Sequence, residues 1–259
     1  MDRLRYLFAV VGVLLGFVAA MFCAFKADQL LAGNSHFTFA GPPEDGDRDP
    51  ALRIEGLEYT SRARVVQTFA GDFGRSVYRV PLGERRRALL ALDWVRDASV
   101  SRLWPDRVVV RVEERKPVAF VELQGGAGAH MALIDEEGVL LEMPARAHFD
   151  LPVLTGIRAG QGAADRGARV RRAMRLMQDL SPMAGSISEI DLNDPENLKV
   201  TEQIEDRAVV LLLGNRNFLS RMQNFLDHYP DIRRRLPNAS AFDLRLDDRI
   251  TAIEGAGNG

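Results

Sequence analysis

The chain has almost no cysteine: Cys23 is the only one in 259 residues, and it lies in an apolar run near the N-terminus. The remaining sequence therefore offers no disulfide and no cysteine metal site, so apolar cores must stabilise it. The chain also lacks an excess of one charge, because its 34 Lys and Arg nearly balance its 36 Asp and Glu, for a net charge of -2. Nucleic acid is not an expected partner, because binding it calls for a basic face or domain.

Histidine is scarce as well, and none of the four is spaced from another as a metal site requires. They are His36, His130, His148 and His228. The glycine-rich segment 125–128 lacks the Lys-Ser/Thr of a phosphate-binding loop and the glycine spacing of a dinucleotide turn, so we predict a hairpin loop there. Without a convergent set of reactive groups, we predict that the chain is not an enzyme and holds no cofactor.

One long apolar run is present, because residues 7–25 contain no charged side chain. A helix of this length rises about 28 Å, close to the hydrocarbon thickness of a bilayer, so it is predicted to span once. Arg3 and Arg5 precede it, which predicts a cytoplasmic N-terminus over residues 1–6 and an exported remainder. A cleaved signal peptide is the alternative, but this run is longer than the apolar region of one.

The exported part begins with a stretch that has few apolar groups to bury. Residues 26–50 are rich in Gly, Pro and Asp, which predicts a linker. Residues 51–117 then show a short strand, two helices and two strands, which predicts a β-α-α-β-β unit with the helices covering a three-stranded sheet. We interpret the triplet Arg85-Arg86-Arg87 in its second helix as a solvated face.

Residues 118–254 read differently, as short strands separated by turns with two amphipathic helices. The helices are predicted over 168–180 and 217–229, and Pro230 is expected to end the second. Two last strands are predicted over 241–246 and 249–253, before a flexible tail at 255–259. The fold class is therefore α+β, with a single N-terminal transmembrane helix, a β-α-α-β-β unit and a mixed β domain with two helices.

Several runs, in this order, resemble the FtsQ/DivIB family of cell division proteins. They are Leu92-Asp93-Trp94-Val95, Trp104-Pro105-Asp106, Glu114-Arg115-Lys116-Pro117, Leu133-Ile134-Asp135, Leu151-Pro152-Val153-Leu154, Leu213-Gly214 and Asp243-Leu244-Arg245. Physically these are structural signatures; Trp104-Pro105-Asp106, for example, is expected to form a turn and bury a large ring. The resemblance implies a POTRA domain over 51–117 and the family's β domain over 118–254.

The resemblance also implies a function. Members are non-enzymatic scaffolds of the divisome that bind the division proteins FtsB and FtsL and so link early and late division components to septal peptidoglycan synthesis. The chain is then expected in the inner membrane, at the division septum, with its C-terminal domains in the periplasm. Other division proteins of the membrane are possible partners of the POTRA domain.

A binding site is predicted at the last strand. Few residues follow it to cover its outer edge, and it lacks the lysine or proline that blunts such edges, so a partner strand can add there. The predicted site residues are Arg245, Leu246, Asp248, Ile250, Thr251, Ala252 and Ile253. Arg245 is expected to bind a partner carboxylate, with a salt bridge to Asp243 or Asp247 as the alternative. Phe242, Leu244 and Leu246 are predicted to point inward.

Two other classes of function stay open at this point. A POTRA-bearing protein of outer-membrane assembly or translocation is expected to carry a following barrel of alternating strands, and the sequence does not show one. An exported enzyme or ligand binder is expected to have a deep polar pocket.

Overall fold

The computed structural model describes residues 2–43, 50–125, 128–181, 183–194 and 196–253. The chain divides into two compact units, Met1–Glu114 and Arg115–Gly259.

The N-terminal helix α1 runs over Asp2–Gly33 and is longer than the predicted span. Within it, Val11–Leu31 has a mean hydropathy of 1.8, and none of it is buried against the protein. Its length and composition suit a membrane crossing, as the sequence predicts. The helix continues past residue 25 because Ala, Gln and Leu follow, which favour a helix, until Gly33 ends it.

The first unit contains a three-stranded sheet and two helices. In chain order its elements are β1 (Leu52–Glu55), α2 (Arg62–Gln67), α3 (Leu82–Leu90), β2 (Val95–Leu103) and β3 (Arg107–Glu114). Strand β3 is central: β1 lies parallel to it and β2 antiparallel. The predicted β-α-α-β-β order is confirmed.

The core of this unit extends into the stretch that its composition predicts to be a linker. Phe39 is fully buried and stacks on Phe73, with ring centroids 4.9 Å apart. Its backbone N–H donates to the oxygen of Arg75, and its own oxygen accepts from Gly74. This part of the chain is therefore held to the first unit, because one buried ring fixes a segment that is otherwise polar. Residues 44–49 lie outside the described residues.

One prediction in this unit is wrong and a second is wrong in part. Trp104 does not bury its ring: the side chain is 52% exposed, because it lies at the tip of the β2-β3 hairpin. It packs edge-on against Phe37, with ring centroids 5.8 Å apart. Of the predicted solvated triplet, Arg86 and Arg87 are exposed, but Arg85 is not, since its Nε lies 2.6 Å from Oδ2 of the buried Asp72.

The second unit is built on a nine-stranded sheet with two long helices. Its strands are β4 (Pro117–Gly125), β5 (Gly128–Asp135), β6 (Leu140–Leu141), β7 (Val153–Thr155), β8 (Ile187–Asp191), β9 (Leu198–Ile204), β10 (Arg207–Gly214), β11 (Ala241–Asp243) and β12 (Thr251–Ala252). Its helices are α4 (Ala163–Asp179) and α5 (Phe218–Arg235). The order across the sheet is β12-β11-β10-β9-β8-β7-β4-β5-β6.

The pairing of strands β4 and β5 confirms the predicted hairpin. Residues 126 and 127, in the predicted loop between them, lie outside the described residues, as does the predicted tail. The pairing of β5 with β6 confirms a second predicted hairpin.

One row of apolar side chains crosses the sheet and joins its strands to both helices. Strand register aligns Val121, Leu154, Ile190, Val200, Leu211 and Phe242. These side chains share one core with residues of α4, such as Leu176, and of α5, such as Phe225. Because Phe242 belongs to this row and pairs with Ala252, the core reaches the last strand.

The sequence predicts that Pro230 ends helix α5, but the helix continues to Arg235. Tyr229 is buried on one side of the proline, and Ile232 packs against the core on the other. This packing outweighs the hydrogen bond that proline cannot make. Helix α4 likewise begins earlier than predicted, at Ala163, with Gly162 at its N-cap.

Candidate functional site: the outer edge of β12

Strand β12 is short and forms one end of the nine-stranded sheet. It pairs antiparallel with β11, Ala252 opposite Phe242 and Thr251 opposite Asp243, and the N–H of Ile253 donates to the oxygen of Ala241. Both last strands are shorter than the sequence predicts, because the chain leaves the ladder after Asp243. Within the described residues, no strand lies beyond β12.

The register decides which backbone groups of β12 face outward. Bonded and non-bonded pairs alternate along an antiparallel ladder. Since Ile253 bonds to Ala241, Ala252 belongs to the non-bonded pair with Phe242. Its N–H and C=O therefore point away from β11, toward the position that a further strand would take.

The segment that leads into β12 is held by a buried cation, Arg221 of α5, which is 6% exposed. Its guanidinium donates to the oxygen of Leu213 at 2.7 Å, the oxygen of Arg245 at 2.7 Å and Oδ1 of Asp247 at 2.8 Å. Arg221 is not among the site residues predicted from the sequence. The sequence pattern that could have identified it is an arginine on the apolar stripe of α5, beside Met222 and one turn before Phe225.

Arg245 is already paired inside the second unit. Its Nη2 lies 2.6 Å from Oδ2 of Asp243, and its Nη1 lies 2.8 Å from Oδ1 of Asn197. The hydrogen bond from Arg245 to Asp243 lowers the pKa of the Asp243 carboxyl. The salt-bridge alternative is therefore realised with Asp243, whereas Asp247 pairs with Arg221, whose hydrogen bond lowers the pKa of Asp247.

Phe242 and Leu244 are buried as predicted, but Leu246 is 55% exposed, so its predicted inward position is wrong. The cause is Arg221, which holds the backbone of Arg245 and the side chain of Asp247 and so turns the chain out of the strand. A groove of about 280 Å³ opens here between α5 and the turned segment. It is lined by Ser220, Arg221, Asn224, Leu244, Leu246, Asp247, Arg249 and Ile250.

The other predicted site residues surround this groove and edge. Asp248 is exposed, with Nε of Arg249 3.6 Å from its Oδ1. Ile250 packs against the core, whereas Thr251 is exposed and Ile253 half-buried. The structure thus gathers the predicted residues at one corner of the second unit.

Two family models match most of the chain beyond α1. The POTRA domain, FtsQ-type, matches residues 51–115, and the model of cell division protein FtsQ/DivIB, C-terminal, matches residues 123–245. The second match contains Arg221 and ends at Arg245.

Curated relatives agree with these matches. A cell division protein FtsQ of Koribacter versatilis is 35% identical over 206 residues, which are 77% of this chain and 58% of the relative. One of Zymomonas mobilis is 29% identical over 239 residues, 89% of this chain and 71% of the relative. One of Novosphingobium aromaticivorans is 28% identical over 201 residues, 77% of this chain and 59% of the relative. The chain thus spans between 58% and 71% of the length of these relatives.

Among solved structures, the chain is similar to the major extracytoplasmic domain of the trans isomer of DivIB from Geobacillus stearothermophilus. The two are 20% identical, with 47% of this chain and 95% of that chain covered. The TM-score is 0.25.

Proposed function

The chain belongs to the FtsQ/DivIB family of cell division proteins, and on that premise we propose that it is a membrane-anchored scaffold of the divisome whose β12 edge accepts a strand from FtsB or FtsL. The outward N–H and C=O of Ala252 carry the proposal. Strand addition takes its affinity from such main-chain groups and its selectivity from neighbouring side chains. In this role the protein links early and late division components to septal peptidoglycan synthesis.

The side chains beside the edge support selective binding. Leu246 offers an apolar contact at the rim of the groove, next to the free edge. Arg245 is 43% exposed, so a partner carboxylate can reach its guanidinium, in competition with Asp243. Arg221 holds the backbone of Arg245 and the carboxylate of Asp247 before a partner arrives, which reduces the ordering cost of binding.

A scaffold needs a fixed position at the membrane, and α1 supplies a span of sufficient length. Arg3 and Arg5 precede this span, so we place the N-terminus in the cytoplasm and both units in the periplasm. We expect the protein in the inner membrane at the division septum. Recruitment of a fluorescent fusion to midcell tests this location, and uniform staining of the envelope would contradict it.

We propose no catalytic role. The perturbed carboxyls at the site, Asp243 and Asp247, are each explained by a structural partner, Arg245 and Arg221. The four histidines are exposed. The FtsQ-type family matches also favour division over the alternative of outer-membrane assembly.

The sharpest test of strand addition is Ala252→Pro in the full chain. Proline removes the outward N–H of residue 252 and leaves the inward bond of Ile253 to Ala241 in place, so the fold is expected to survive. Binding to a purified FtsB–FtsL complex should be lost in a pull-down. Ala252→Ser, which keeps the N–H, is the matched control and should bind like the unmodified chain.

If Ala252→Pro lowers the melting temperature, Thr251→Lys replaces it, since Thr251 is exposed and a lysine there blunts the edge. Full binding by a folded proline or lysine variant would exclude this edge as the docking site. Family membership would stand in that case.

A further inference from the structure

The first unit exposes a small apolar surface that the proposed scaffold function does not use. Tyr78, Leu103 and Trp104 are all large, apolar or aromatic, and exposed. We call these three the anchor-side patch. The hairpin tip that carries Leu103 and Trp104 lies beside the turn that carries Tyr78, because the guanidinium of Arg102 donates to the backbone oxygens of Val77 at 2.8 Å and Tyr78 at 2.9 Å.

This patch lies beside the end of the candidate membrane span. The hydroxyl of Ser76 donates to the backbone oxygen of Leu31, the last residue of that span, at 2.7 Å. Tyr78 follows two residues later, so its backbone lies within about 7 Å of Ser76 along the chain. Phe37, four residues after the helix ends, contacts the ring of Trp104. If α1 crosses a bilayer, the patch is at the level of its surface.

Charge around the patch suits an anionic surface. Tyr78 lies in the short turn Val77–Arg79, and both Arg79, which ends this turn, and Arg75, which precedes it, are exposed. Both line a cavity of about 480 Å³ together with residues that directly follow α1, such as Asn34 and Ser35. A guanidinium pairs well with phosphate oxygens, and Trp and Tyr favour the interface between lipid and water.

We propose that the anchor-side patch docks on the anionic phospholipid surface of the membrane that α1 spans. Trp104 and Leu103 enter the headgroup region, and Arg75 and Arg79 pair with lipid phosphates. The partner is the bilayer itself, because the hydrogen bond between Ser76 and Leu31 places the patch there without any second protein. Docking fixes the first unit at the membrane, a role distinct from strand binding by the second unit.

The chain contains two tryptophans, which allows a direct test. Trp94→Phe leaves Trp104 as the single probe, and Trp104→Phe leaves the buried Trp94 as the matched control. Each full-length variant is reconstituted in phosphatidylcholine vesicles with and without phosphatidylglycerol, and fluorescence is measured with brominated lipids and with iodide. If Trp94→Phe does not fold, the difference between the unmodified chain and Trp104→Phe gives the Trp104 signal.

We expect brominated lipids to quench Trp104 but not Trp94, and phosphatidylglycerol to strengthen the quenching. Arg75→Gln and Arg79→Gln should each weaken docking by about fivefold, from the attraction of one basic residue to an anionic surface. Arg96→Gln is the charge control, since it lies eight residues from Trp104 along β2, about 25 Å away, and should have no effect.

Three results would overturn the proposal. One is a Trp104 that brominated lipids do not quench. Another is quenching that neither phosphatidylglycerol nor the arginine substitutions change. The third is shielding of Trp104 from iodide only when another division protein is added, which would assign the patch to a protein partner.

Discussion

The Nη2 atom of Arg221 lies 2.7 Å from the backbone oxygen of Arg245. This contact joins the buried face of α5 to the segment that leads from β11 to β12. Because β12 contains only Thr251 and Ala252, its own ladder is short, and its position depends on how the preceding segment is held. A buried arginine thus prepares the edge at which we propose that a partner strand binds.

Arg221→Met is predicted to destabilise the second unit and loosen its edge. The substitution leaves the oxygens of Leu213 and Arg245 without their donor, at a cost of about 1–3 kcal/mol for the buried oxygen of Leu213 and less for the partly buried oxygen of Arg245. Chemical denaturation should show the loss of stability, and hydrogen exchange should rise over residues 245–252. Asp247→Asn is the control: it changes only the exposed partner of Arg221, so it should cost under about 1 kcal/mol. Equal stability of both variants would contradict the bracing role.

Leu246→Ala is predicted to weaken partner binding without changing stability. The side chain is 55% exposed, so its truncation should alter unfolding by at most about 0.5 kcal/mol. Burial of this half-exposed leucine by a partner strand contributes about 1 kcal/mol, so the Kd for FtsB–FtsL should rise about fivefold. Leu236→Ala, which truncates a leucine that is 48% exposed at the end of α5, is the matched control. The same Kd for both variants would remove Leu246 from the site.

The ion pair of Asp243 and Arg245 is predicted to stabilise the fold at neutral pH but not in strong acid. The hydrogen bond from Arg245 lowers the pKa of folded Asp243 below its unfolded value, so the pair stabilises the fold above the unfolded pKa of about 4. This stabilisation is lost as the pH falls through the lowered folded pKa. Asp243→Asn should therefore have a lower melting temperature than the unmodified chain at pH 7, and the difference should vanish in strong acid. A difference that does not change with pH would mean that the charge of Asp243 contributes nothing.

Glu202 predicts the opposite dependence on pH. Burial raises the pKa of this carboxyl, against a hydrogen bond from Ser186, and its Oε2 has no partner among the described residues. A folded pKa above the unfolded value of about 4.3 stabilises the fold below that value, and the benefit is lost as the pH rises through the raised folded pKa. Glu202→Gln should therefore gain melting temperature relative to the unmodified chain between pH 4 and pH 8.

Ser186→Ala provides the second variant for this test. Without the hydroxyl donor at 2.7 Å, the pKa of Glu202 should rise further, and stability should fall more steeply toward pH 8. If the difference in melting temperature between Glu202→Gln and the unmodified chain stays constant from pH 4 to pH 8, Glu202 does not titrate as predicted.

Most helices and strands follow directly from periodicity in the sequence. The alternation of Val108, Val110 and Val112 predicts β3, and the apolar stripe of Met222 and Phe225 predicts α5. Exceptions arise where distant contacts outweigh a local signal. Pro230 predicts a helix end that packing at Tyr229 and Ile232 overrides.

At the candidate site, too, some features follow from the local sequence pattern and others from distant contacts. Its location at the last strand is predicted from the order of the strands, and Phe242 is predicted to be buried from alternation alone. The exposure of Leu246 is not predictable in this way, because Arg221, more than twenty residues earlier in the chain, turns the backbone at Arg245. Alternation describes a strand only while the ladder continues, and here it ends at Asp243.

Local patterns and the order of motifs are enough to predict the apolar N-terminal helix, the β-α-α-β-β unit, the strand-rich second unit and the family. They are not enough to predict which groups at the β12 edge face outward, that Arg245 pairs with Asp243, or that Trp104 lies exposed beside the end of α1. These features depend on strand register and on contacts between residues far apart in the chain, which no local pattern encodes.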